Sequence, residues 1–235
     1  MLRLIALHFV PGLLATAAYV LLAPPLIARG YPALFALLLA TAGVLIPLEA
    51  GYLLHQVRRA GGTLRDVVQF REPLPRSQLV LWPIVLFAWG MLSSVLTFSA
   101  DRATLGLFSW LPPWFFAGDI MKDLAAYSPE VLRATFLLGF VIGGFVGPIV
   151  EELYFRGYLL PKMDRLGRWA PAVHAVLFSL YHFWTPWQNV SRIALMIPLT
   201  YVVWWKRNIY IGMIAHIALN AIVWGFTLGG LLRSA

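Results

Sequence analysis

The stretch from Leu4 to Ile27 contains no charged side chain, and comparable apolar runs recur down the chain. They fall at 31–54, 79–98, 131–161, 170–184, 192–205 and 209–232. About 20 apolar residues in a helix cross the hydrocarbon core of a bilayer, and a lipid-exposed backbone must satisfy its own hydrogen bonds. The sequence is 60% hydrophobic and only 12% charged, a balance that leaves a soluble fold without enough polar surface to cover itself. The expectation is therefore an all-α, polytopic transmembrane helical bundle of about seven spans, with room for an eighth in 99–130. It forms a single integral membrane domain over 1–235, with its catalytic core at about 131–232.

The net charge of +8 does not point to nucleic acid. The basic residues sit in loops between apolar runs, most densely at 55–78, where Arg58, Arg59, Arg65, Arg71 and Arg76 face only Asp66 and Glu72. The positive-inside rule accounts for them and places the N-terminus and that loop in the cytoplasm, as in a bacterial inner-membrane protein. Thr63 and Asp66 predict a short capped helix over 63–70 within the loop. Ala15-Thr16-Ala17 lies too early in its apolar run to mark a cleaved leader, so the first span is expected to be retained. Asn189-Val190-Ser191 fits a glycosylation sequon by chance. The Trp and Phe residues around Pro112-Pro113 read as an interfacial belt. With no cysteine, thiolate metal sites and a cysteine nucleophile are excluded.

Ionisable groups at membrane depth are costly and mark function by default. Glu151, His182 and His216 each fall about 13–18 Å, at 1.5 Å per residue, from the basic end of their own span. Three helices thus bring polar groups to one level. Glu152 and Arg156 are four residues apart and can pair, while Glu151 points about 100° away from them, free to act as a general base. Phe178 lies four residues before His182 and can fix its ring. His216 and Asn220, again four apart, aim two donors at one point, as an oxyanion requires. His174 shares the Phe178–His182 stripe nearer the basic end. Glu49 is expected beside the headgroups, and His8 and His55 carry no functional signal. Small residues at Gly139, Gly143 and Gly147 predict close approach of a neighbouring helix, and Pro148 a kink before the glutamates.

In that order, Glu151-Glu152-x-x-x-Arg156, Phe178-x-x-x-His182 and His216-x-x-x-Asn220 resemble the three motifs of the CPBP family (CAAX proteases and bacteriocin-processing enzymes, or Abi family). The resemblance covers Gly147 to about Trp224. It implies a metal-independent intramembrane endopeptidase needing no cofactor and acting on a membrane-associated peptide or protein. In it, Glu151 and His182 would activate water, His216 and Asn220 would hold the oxyanion, and Glu152 and Arg156 would orient the site. Two alternatives stand beside it. One is a zinc protease using Glu151, His182 and His216. The other is a non-catalytic immunity or adaptor protein of the same fold. A transporter is disfavoured because the late helices show no inverted repeat.

Overall fold

The computed structural model describes residues 2–116 and 126–233, with side chains to 230. Asp119, Lys122 and Asp123, and any eighth helix they would belong to, lie outside the described residues. Among those described, every named element is helical. In chain order, α1 is Leu2–Ile27, α2 is Ala33–Ala60, α3 is the short Leu64–Val67 and α4 is Arg76–Leu105. Next come α5 (129–159), α6 (Ala170–Leu180), α7 (Asn189–Lys206) and α8 (Ile209–Arg233).

Among the described residues, five helical stretches are long and apolar enough to cross a membrane: α1, α2, Arg76–Phe108, Pro129–Leu180 and Ile209–Gly230. The expected count of seven is not reached, for two reasons. The helical run from Pro129 to Leu180 is broken only at Gly167, whose φ of 52° lets the chain turn back into α6. With 11 residues, α6 is about 16 Å long at 1.5 Å per residue, half a bilayer core. The 18-residue α7 carries Arg192 near one end and Lys206 at the other, which lowers its apolarity.

Two proline positions shape the bundle. Within α2 the turn Thr41–Leu45 is π-helical and is followed by Ile46-Pro47; within α5 the turn Ile142–Val146 is π-helical and is followed by Gly147-Pro148. Proline lacks an N–H and clashes with the carbonyl four residues earlier, so widening the preceding turn accommodates it without breaking the helix. The kink expected at Pro148 is thus a π turn. In both helices a buried glutamate follows within three residues, Glu49 after Pro47 and Glu151 after Pro148. The helices pack against each other at this level.

Side-chain size sets the contact between α5 and α8. A Cβ on Gly139 would lie 2.1 Å from the Trp224 ring, and one on Gly143 would lie 2.7 Å from its indole nitrogen. The expected close approach is there, although Gly147 instead faces its own helix at Ile142. Gly139→Ala is expected to destabilise the protein by about 1–3 kcal/mol through overpacking, measured by thermal unfolding in detergent.

The basic loop is fastened to the second half. Thr63 donates from its N–H (2.6 Å) and its hydroxyl (2.8 Å) to Asp66, which holds that carboxyl below its usual range. The helix so capped ends at Val67 rather than Phe70, because the following residues turn to bond elsewhere. Gln69 N–H donates to Gly157 C=O (2.7 Å), Ile209 N–H to Phe70 C=O (2.7 Å) and Glu72 N–H to Arg207 C=O (3.0 Å). Around Pro112-Pro113, Phe115 and Phe116 pack against Trp187, and Tyr19 donates to the carbonyls of Trp114 and Phe115. Only Trp110, 76% exposed, fits the expected belt.

Candidate active site

Glu151 closes the short α turn after Pro148, and a second π-helical segment, Glu152–Leu159, begins directly behind it. The two adjacent carboxylates therefore leave the helix in different directions. Glu151 lines a cavity of about 400 Å³, together with His182, His216 and Asn220. Leu37 of α2, Ile142 of α5, Leu195 of α7 and Trp224 of α8 supply much of its apolar wall. Glu152 and Arg156 lie behind that wall and are fully buried.

Glu152 and Arg156 form the expected pair, Nη1 to Oε1 at 3.2 Å. The guanidinium sits 3.8 Å from the centroid of the Phe178 ring, and Nη2 reaches the Met196 sulfur at 3.0 Å. A cation over an aromatic face is stabilised by the ring quadrupole, strongly so when both are dry. Phe178 thus orients two partners, since its other neighbour is the His182 ring, at 5.1 Å and edge-on.

Both histidines are held by one ring nitrogen and present the other. His182 Nδ1 donates to the Phe178 carbonyl at 2.9 Å. His216 Nδ1 donates to Glu152 Oε1 at 3.0 Å, and its Nε2 lies 3.7 Å from Glu151 Oε2. For His182, fixing Nδ1–H in this way selects the tautomer and leaves Nε2 as an acceptor. Asn220 donates one amide N–H to the carbonyl of Gly143 at 3.0 Å, in the first π turn of α5. Glu151 and His182 share the cavity wall without bonding each other. Among the described residues no three His, Asp or Glu side chains converge as a metal ion would require. The Glu151–His182–His216 set expected of a zinc site therefore does not form one.

Three residues at this level were not foreseen. Tyr181 is fully buried and its hydroxyl donates to Glu151 Oε1. A tyrosine at a helix end beside the interface reads as a belt residue, so its role shows only once α6 is folded against α5. Arg192, the first residue of the apolar run 192–205, lines the cavity. Its guanidinium donates to the Ser179 carbonyl (3.3 Å) and to Thr185 (2.8 Å), Gln188 (3.2 Å) and Asn189 (3.2 Å). Glu49 is the third, and a correction: it is 0% exposed, with neither carboxylate oxygen hydrogen-bonded, rather than near the headgroups. The signal was available. Helix α2 runs on to Ala60, so Glu49 lies as many residues from its basic end as Glu151 lies from Lys162.

His174 is not brought to the cavity. It is buried, with Nε2 bonded to the Phe155 carbonyl at 3.0 Å, and its ring packs edge-on against His8 at 5.1 Å. Both belong to the α1–α5–α6 core.

Residues 133–222 match the family model for type II CAAX prenyl endopeptidase, Rce1-like. The similarity is to a family of CAAX proteases, and it covers 90 of the 235 residues. The matched segment includes Glu151, His182, His216 and Asn220 of the cavity, in a chain with helices long and apolar enough to cross a membrane. No curated protein and no solved structure gave a significant match to the chain. Glu49 and the rest of α1 to α4 lie outside the matched CAAX-protease segment.

Proposed function

We propose that the protein is a glutamate-dependent intramembrane endopeptidase that hydrolyses a peptide bond with a water held by Glu151 and His182. The observation that carries this reading is one cavity wall bearing Glu151, His182, His216 and Asn220, with the neutralised Glu152–Arg156 pair behind it. Glu151 takes a proton from the water as its oxygen attacks the scissile carbonyl, with His182 Nε2 accepting the second O–H. The second Asn220 N–H stabilises the tetrahedral oxyanion together with His216, which must carry a proton on Nε2 as well as the Nδ1–H that it gives to Glu152. Glu151 then passes its proton to the departing amine as the C–N bond breaks, leaving a carboxylic acid and an amine. Glu152 and Arg156 keep His216 in the orientation this requires.

The family description makes a prenylated Cys-aliphatic-aliphatic-X peptide the first probe. The reading is tested by incubating the purified full chain with that peptide and with membrane-protein substrates, and identifying products by mass spectrometry. Products made by wild type and missing from His182→Ala support it; undiminished cleavage by His182→Ala removes His182 from water activation. Cleavage is expected to persist in excess EDTA. A loss that zinc restores would return the zinc mechanism to favour.

Tyr181→Phe deletes the hydroxyl that orients Glu151 and leaves its Oε1 without that donor. We expect kcat to fall about tenfold with KM within about twofold, the loss of a hydrogen bond to a charged group. Steady-state kinetics on any cleaved peptide checks this. The N-terminus is proposed to face the cytoplasm of a bacterial inner membrane, which reporter fusions at the two chain ends would test.

A further inference from the structure

At the end of the bundle where α1 begins and α2 ends lies a second cavity, about 500 Å³, which the proposed chemistry does not use. It is lined by Arg3, Arg59 and Lys162, by Gln56 and Tyr158, and by Leu4 and Leu7. The three cations come from three separate segments: the start of α1, the last turn of α2 and the turn after α5. No carboxylate lines the cavity, and none of the three is ion-paired among the described residues.

The cavity has a fixed floor. Tyr158 is buried, and its hydroxyl lies 3.5 Å from that of Tyr52, which accepts a bond from Arg3 Nη2 at 3.3 Å. Lys162 Nζ stands 4.3 Å from the centroid of the Tyr158 ring. Two cations are thus held by the tyrosines on which the cavity is built. Three like charges facing one hollow repel one another, and an anion placed among them relieves that repulsion.

We infer that this cavity binds the phosphate of an anionic membrane lipid. The phosphate sits between Arg3, Arg59 and Lys162, with Gln56 and the Tyr158 hydroxyl as further donors, and the glycerol end of the acyl chains lies along Leu4 and Leu7. A phosphate group is the shared chemistry of a lipid headgroup and of the free ion. The apolar wall and the position at a helix end beside the bilayer favour the lipid. Basic pockets between transmembrane helices are suited to such headgroups, each cation contributing about 1 kcal/mol, roughly fivefold in affinity.

The test uses the delipidated full chain in detergent, titrated separately with phosphatidylglycerol, phosphatidylcholine and inorganic phosphate, with bound adducts counted by native mass spectrometry. Wild type is expected to retain phosphatidylglycerol at least tenfold better than phosphatidylcholine. The Arg3→Gln/Arg59→Gln/Lys162→Gln variant is expected to lose at least tenfold of that preference. A control, Arg65→Gln/Arg76→Gln/Arg165→Gln, removes the same charge outside the cavity and should keep it. Equal retention of the two lipids by wild type overturns the proposal, as does equal loss in both variants, which would assign the preference to general surface charge. Inorganic phosphate that displaces the lipid at equal concentration would make the cavity a soluble-anion site and overturn it too.

Discussion

Glu151→Gln is expected to lower kcat/KM for peptide cleavage about 1,000-fold or more while leaving the bundle folded. Proton transfer by a positioned base contributes about 10²–10⁴-fold to such reactions, and here the same group both takes and returns the proton. Glutamine matches the shape of Glu151 and keeps a carbonyl oxygen for the Tyr181 hydroxyl, so the packing around Tyr181 and His216 has no reason to change. It also removes a charge from a nearly dry position, so thermal stability should hold or rise. Steady-state kinetics and a melting curve in detergent, on one preparation, separate the two effects. Cleavage above about a tenth of the wild-type rate would sink the assignment of Glu151 as the base.

The largest expected effect on stability lies one helical turn away. Arg156 is the largest fully buried side chain among the described residues, and Arg156→Met removes the only arginine paired with Glu152. The Glu152 carboxylate would remain at 0% exposure with only the His216 ring bonded to it, and deleting one partner of a buried pair costs about 3–5 kcal/mol. Replacing both charges is a different matter. Glu152→Gln/Arg156→Met leaves no charge stranded and is expected to recover most of that loss. It should not recover activity, because His216 Nδ1 then has no carboxylate to hold its ring. Unfolding midpoints for the two single variants and the double variant measure the coupling. A loss below about 1 kcal/mol for Arg156→Met would mean that the pair is solvated.

Much of this site was legible in the sequence, because depth and spacing are properties of a straight helix. Counting residues from the basic ends put Glu151, His182 and His216 at one level, and the four-residue spacings paired Glu152 with Arg156 and Phe178 with His182. What spacing does not carry is which face of one helix meets another. The Tyr181 hydroxyl finds Glu151 only through the packing of α6 on α5, and Arg192 turns inward because Ser179, Thr185, Gln188 and Asn189 gather around it. The count of seven spans is not confirmed because α6 is too short and α7 too polar at its ends to stand out as a span. Glu49 was misplaced by ending α2 at Leu54, six residues short of Ala60, where the helix stops.

The widened turn at 142–146 has a consequence for how the chain tolerates change. A π turn behaves as one residue inserted into an α-helix, and one residue is about 100° of rotation. Its effect is angular rather than linear: everything after it is dialled around the helix axis, Glu151 included. Deleting Gly144, which leaves room for Ala221 at 3.5 Å from a would-be Cβ, would restore a plain α turn and swing Glu151 away from His216 without touching either residue. In this protein the length of a segment that carries none of the proposed reacting groups sets the direction in which the proposed base points.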